Sequence, residues 1–237
     1  MDKLISLKDF ILIDLTHTLS PSIPSWDGGC GFQHTLRDDY DPIAPYQLRT
    51  YDIKMQSGMG THIDAPAHFI PGGRCINDLE FQELIAPCIV INVSDQRHER
   101  FSLSVQDIES FEGQYGIISP GCFVIVYTGW DQYWTTPEKY RNNLIFPSIS
   151  TEAAQILLER QIVGLGIDTL SPDRPEDGFP VHQLILKADK YIVENVANAF
   201  ILPPIGAYTL AMPLKIQDGT EAPMRLVGLL IKGKQGE

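Results

Sequence analysis

Seven short runs rich in β-branched and aromatic residues recur along this chain: "ILIDLTHTL", "RTYDIKMQ", "CIVINV", "CFVIVYTG", "IVGLGID", "AYTLAMPLKI" and "MRLVGLLI". Runs of this length and composition, set off by turn-forming residues, read as strands. Helical signals are fewer. Ser104 caps "VQDIESFEG", with Asp107 as the capping-box acid and Gly113 as the stop, and Ser150 caps "TEAAQILLERQ". "HQLILKA" reads as a further short helix and "KYIVENV" as a strand returning after it. The pattern therefore predicts a mixed α/β, strand-rich chain, and element order alone leaves open whether the sheet closes. With 237 residues, 43% of them hydrophobic, and neither repeats nor low-complexity stretches, residues 1–237 are expected to form one large domain.

Charge narrows the partners. A formal net charge of −12 repels nucleic-acid phosphates and anionic membrane surfaces, which leaves small molecules or proteins. The opening "MDKLISLKDFILIDL" interleaves charges with apolar residues and lacks the features of a signal peptide, and runs such as "CIVINV" fall far short of the roughly 18 apolar residues of a membrane span. Cys30, Cys75, Cys88 and Cys122 are widely separated, so a reduced, cytoplasmic setting is expected. They are read as small packing residues, with Cys30, set between glycines, the one open to a ligand. His98 is read as a solvated loop residue, and Trp130 and Trp134 as packing residues.

The chemistry-bearing stretch is "SGMGTHIDAPAHF", residues 57–69. In an extended chain His62 and Asp64 face the same way, about 6.6 Å apart at Cα, so both can reach one cation. His68 in a straight strand would lie ~20 Å from His62. Pro66 fixes its own φ and restricts Ala65, so the chain can turn there and bring His68 back. Imidazole nitrogen with carboxylate oxygen suits zinc, manganese or iron(II), and no thiolate lies close enough in sequence for a structural zinc set.

This stretch resembles the H-x-G-T-H-x-D-x-P-x-H signature of the metal-dependent cyclase family, which includes bacterial kynurenine formamidases and isatin hydrolases. "IDLTHTLSPSIPSW", "GIDTLSPD", "HQLILKADKYIVENVANAFILPP" and "AMPLKIQDGTEAPMRLVGLL" extend the resemblance over nearly the whole chain, in the family's order. It implies a swivelling β/β/α domain with a barrel-like β core and outer helices, assembled as a homodimer or larger homo-oligomer. It implies His62 as a ligand of a first metal, Asp64 as the bridging carboxylate, His182 and Glu194 as ligands of a second, His68 as the proton-transfer group and Trp26 as an aromatic wall against the substrate. The implied activity is hydrolysis of a small amide, lactam or aryl formamide. A divalent metal, Zn or Mn, activates water against a carbonyl and His68 shuttles the proton. No G-x-S-x-G elbow offers a serine alternative.

The sequence departs from the pattern at Gly58, where a histidine ligand is expected. Three accounts stand open: a single tightly held metal; a substitute ligand such as Gln56, Ser57, His17 or His34; or a binding protein with reduced catalysis. On the first account one metal is held tightly per chain, and Gly58→His should raise occupancy toward two.

Overall fold

The strand-like runs hydrogen-bond into one sheet that closes on itself. In this computed structural model, residues 6–232 are described apart from Cys30 and Arg97, and Leu7 by its backbone alone; the expectation for Cys30 therefore lies outside the described residues. The strands are β1 (Phe10–Asp14), β2 (Phe32–Asp38), β3 (Thr50–Met55), β4 (His62–Asp64), β5 (Ile85–Asn92), β6 (Ser102–Leu103), β7 (Phe123–Tyr127), β8 (Ser148–Ile149), β9 (Gly164–Ile167), β10 (Tyr191–Glu194), β11 (Ala207–Pro213) and β12 (Glu221–Ile231). The main sheet runs β1-β12-β11-β5-β7-β9-β10-β4, and β4 pairs back onto β12. Seven strands thus form a closed, barrel-like ring. Residues 221–223 of β12 pair with β4, and residues 227–231 with β1. The barrel-like core with outer helices implied by the resemblance is the fold this chain adopts.

The helices are α1 (Phe81–Leu84), α2 (Val105–Tyr115), α3 (Pro137–Arg141), α4 (Thr151–Glu159) and α5 (Pro180–Lys187). Strands β5, β7, β9 and β10 are parallel neighbours, and all five residues of β7 are buried. A continuous apolar run such as "FVIVY" fits a strand covered on both faces. The barrel interior covers one face through Phe123, Ile125 and Tyr191, while residues of α2, α4 and α5 pack on the other against Val124, Val126 and Ile192. Ser104 caps α2 as expected, its Oγ accepting from the Asp107 N–H at 3.3 Å. Gly113 does not end that helix, which runs on to Tyr115 and stops at Gly116, where φ is +92°. An exposed glycine in a last turn weakens a helix without breaking it, whereas a positive φ ends it.

Two glycines explain how the interior closes. A Cβ at Gly164 would overlap the Tyr191 ring, and one at Gly166 would stand 2.8 Å from Phe123 Cζ. The two rings stack at 5.6 Å in the space the glycines leave. Both rings are rigid and fully buried. Gly164→Ala is therefore expected to destabilise the protein by about 1–3 kcal/mol, seen as a lower midpoint in denaturant melts, and an unchanged midpoint would refute this packing account.

Strand β4 positions the site. Ile63 is fully buried in the barrel interior, so its neighbours His62 and Asp64 point to the opposite face. Pro66–His68 then forms a single 3-10 turn with Pro66 in its first turn, the bend expected from the sequence. Among the described residues no helix is long and apolar enough to cross a membrane.

Candidate metal centre and active site

The predicted residues His62, Asp64, His182 and Glu194 converge, although they come from β4, α5 and β10. Register does part of the work: Glu194 lies directly across from His62 in the β10–β4 pair. His182 is delivered from above by the first turn of α5. His62 Nε2 lies 3.4 Å from Asp64 Oδ1 and 3.3 Å from Glu194 Oε2, while His182 Nε2 lies 3.5 Å from Asp64 Oδ2 and 3.3 Å from Glu194 Oε1. Two imidazoles and two carboxylates therefore alternate around a small ring, each carboxylate facing both rings.

Both histidines present a lone pair to this ring in the neutral form. His62 Nδ1 donates to the Gly60 carbonyl at 2.9 Å, and His182 Nδ1 donates to Asp173 Oδ2 at 2.8 Å. Each bond fixes the tautomer and leaves Nε2 free as a ligand, the usual arrangement behind metal-bound histidines. Asp173 is itself held by the Val181 and His182 N–H groups at the start of α5. Asn195 steadies the other side, donating to the Gly60 carbonyl at 2.8 Å and accepting from Thr61 through its own carbonyl at 2.6 Å.

A divalent cation fits this ring. Asp64 is 1% exposed, yet neither of its carboxylate oxygens accepts a hydrogen bond. An ionised carboxylate buried without hydrogen bonds is costly unless a positive charge faces it. The ligand atoms fall into two groups that could each hold a cation, His62 with Asp64 and Glu194, and Asp64 with His68 and His182, so Asp64 is common to both. Without a cation the same need is met by protons. Burial opposes charge on His62, but Asp64 and Glu194 outweigh it and raise its pKa to about 10. Burial likewise opposes charge on His182, which Asp173, Asp64 and Glu194 overcome, holding it well above the usual imidazole range. A cation entering this ring displaces those protons.

His68 stands at the rim, its side chain 28% exposed against 4% for His62 and His182. Its Nδ1 is 3.6 Å from Glu221 Oε2. Above the ring opens a cavity of about 700 Å³, walled by Trp26, Phe69, Leu170 and Phe179, with His62, His182 and Glu194 at its base. Trp26 is tilted against Phe179 at 5.8 Å, and Phe69 stacks on His182 at 4.6 Å.

Asp173 and Glu221 were not singled out from the sequence. Both lie inside stretches that carry the resemblance, "GIDTLSPD" and "QDGTEAP"; Glu221 opens β12, whereas Asp173 lies in the connection between β9 and α5. Of the substitutes considered for the missing histidine, two are elsewhere. His34 stacks on Tyr51 at 4.0 Å along the β2–β3 hairpin, and β2 went unread because "FQHTLRD" is polar at most positions. His17 stacks on Trp134 at 3.9 Å with its Nε2 buried and unpartnered. Gln56 turns to Asp27 at 3.1 Å, and Ser57 donates to Glu221 at 3.1 Å. Trp130 is a packing residue, buried and donating to the Tyr140 carbonyl, and His98 is exposed.

His17 carries its own consequence. Burial, opposed in part by Asp14, lowers its pKa from 6.5 to about 4. Folding therefore rejects a proton that the unfolded chain takes up near 6.5, so this contribution to stability is full above that pH and is lost as pH falls toward 4. His17→Phe keeps the stack on Trp134 and removes the titration. Its melting temperature relative to wild type should rise between about pH 7 and about pH 4.5, and a constant difference would contradict the assignment.

A closed β core with helices outside and a buried histidine–carboxylate ring on one face defines a metal-hydrolase-like architecture. The Cyclase family model matches residues 13–174, and the chain belongs to that family. It is 31% identical over 209 residues to an isatin hydrolase of Roseibium aggregatum, covering 82% of this chain and 79% of that protein. It is 27% identical over 216 residues to a kynurenine formamidase of Geobacillus thermodenitrificans, covering 90% and 94%. The solved structure of isatin hydrolase A from Ralstonia solanacearum superposes with a TM-score of 0.85 at 30% identity, over 94% of this chain and 93% of that one.

Proposed function

We propose that this protein is a metal-dependent hydrolase that cleaves a non-peptide C–N bond in a small amide, a lactam or an aryl formamide. The observation that carries this reading is the Asp64 carboxylate, buried and without a hydrogen bond between His62 and His182. His62, Asp64, His182 and Glu194 are the residues that would hold the cation, Zn²⁺ or Mn²⁺, with one held tightly per chain. Bound there, it supplies Lewis-acid polarisation of a carbonyl and a more acidic water.

The chain's own residues do the rest. Asp173 and the Gly60 carbonyl keep His182 and His62 in the ligating tautomer. Trp26, Phe69 and Phe179 offer an aromatic slot that seats an aryl group and limits water. His68, at the boundary of ring and solvent, takes the proton released as water adds to the acyl carbon and delivers it to the nitrogen as the C–N bond breaks. A carboxylic acid and an amine result, joined in one molecule when the substrate is a lactam. The reading places the enzyme in the cytoplasm, supported by the free thiols of Cys75, Cys88 and Cys122. It also takes the enzyme to be a homo-oligomer, supported by Leu36, Tyr51 and Ile53, which the β2–β3 hairpin leaves exposed.

The second reading, a ligand-binding member of the fold with little turnover, rests on Gly58. A panel separates the two. Metal-loaded protein is given an N-formyl arylamine, an isatin-like cyclic amide and an aryl lactone, and product is followed by absorbance. Turnover of the formamide or the cyclic amide, lost with chelator and recovered with Zn²⁺ or Mn²⁺, is the expected result. Saturable binding of these compounds with no product under either metal would establish the binding protein instead.

A further inference from the structure

The cavity wall beside His68 holds a carboxylate that no step above uses. Glu221 Oε2 lies 3.6 Å from His68 Nδ1, and both side chains line the cavity over the ring. Among the described residues His68 is the one basic side chain within 4.0 Å of Glu221. The carboxylate is fixed from two directions. Glu221 opens β12 directly across from Asp64, and the Ala65 N–H donates to the Thr220 carbonyl at 2.9 Å, which ties this strand end to the chain just ahead of the Pro66–His68 turn. Ser57 Oγ donates to Oε2 at 3.1 Å. Gly58 leaves the room: a Cβ built there would overlap Glu221 Oε1. The absence of a side chain at 58 and the carboxylate at 221 are therefore complementary.

We propose that Glu221 is a positioning residue for His68, accepting the Nδ1 proton so that Nε2 is the nitrogen that exchanges protons with substrate and water. The proposal rests on the hydrolase reading above, in which His68 moves the proton. A carboxylate facing one imidazole nitrogen fixes the tautomer and stabilises the imidazolium formed when the other nitrogen takes a proton. Glu221 itself neither gives nor receives the substrate's proton. The present separation is an ion-pair distance, and contacts of this kind close to about 2.6–3.2 Å when substrate fills the site. Asp173 holds His182 in the same way at 2.8 Å, but that pair is buried and orients a ligand of the ring, whereas His68 and Glu221 face the open cavity. A histidine at 58 would meet Glu221 first, so any ligand that Gly58→His supplies comes with the loss of this carboxylate and a lower kcat.

The test uses the full, metal-loaded chain and hydrolysis of an N-formyl arylamine or an isatin-like cyclic amide. Glu221→Gln keeps the shape and removes the charge. It should lower kcat by about tenfold or more, with KM and bound metal within about twofold of wild type. Gly58→Ala, whose Cβ displaces the carboxylate, should lower kcat in the same direction. Because Glu221 acts through His68, His68→Ala/Glu221→Gln should be no slower than His68→Ala, within about twofold. A kcat for Glu221→Gln within about twofold of wild type would overturn the proposal, as would a full further loss in the His68→Ala background or metal lost in step with activity. Where wild type hydrolyses neither compound, the hydrolase reading itself fails and this proposal falls with it.

Discussion

Asp64→Asn is expected to remove bound metal and to lower kcat/KM by about 10³-fold or more, because Lewis-acid stabilisation supplies several kcal/mol to a carbonyl hydrolysis. The reason for so large an effect is geometric. Asp64 faces both ring histidines, at 3.4 and 3.5 Å, as Glu194 does, and its buried oxygens accept no hydrogen bond. An amide of the same shape would offer the cation one neutral oxygen and turn an N–H₂ toward an imidazole. Wild type should also gain melting temperature on adding Mn²⁺ or Zn²⁺, by mass action on the folded state, and the variant should not. Retention of stoichiometric metal by Asp64→Asn would remove this residue from the centre.

His68→Ala should cut kcat by about 10²- to 10⁴-fold while metal content stays near that of wild type. His68 differs from the two ring histidines in being open to solvent, as a group that passes protons between substrate and water must be. It sits on the turn that Pro66 creates, close enough to Asp64 and His182 to share a cation with them. The paired measurement decides between these uses of the ring. Activity lost with metal retained supports proton transfer, whereas metal lost in step with activity reassigns His68 as a ligand.

Much of this was legible in the residues. The apolar runs "CIVINV" and "CFVIVYTG" became β5 and β7, and the Ser104 and Ser150 caps fixed the starts of α2 and α4. Local chemistry determines such elements, so a local reading finds them. His62, Asp64 and His68 were visible together because one turn at Pro66 joins them. Closure of the sheet was not, since it depends on β4, three residues long, pairing with β10 and β12 from distant parts of the chain. Nor were Asp173 and Glu221, whose roles arise from where α5 and β12 arrive in space. Gly58 shows the limit most clearly. Read alone it is a lost ligand, and the side chain that fills its place lies 163 positions further along the chain.

The central claim is that turnover depends on a cation held by the ring of His62, Asp64, His182 and Glu194. Its most direct test is to strip the protein, restore Mn²⁺ or Zn²⁺ in measured steps, and record bound metal and hydrolysis of an N-formyl arylamine or an isatin-like cyclic amide on the same samples. Activity should be absent at zero occupancy and rise in proportion to bound metal, levelling at one tightly held ion per chain. Full activity in the stripped protein, or full occupancy with no hydrolysis of either compound, would contradict the account.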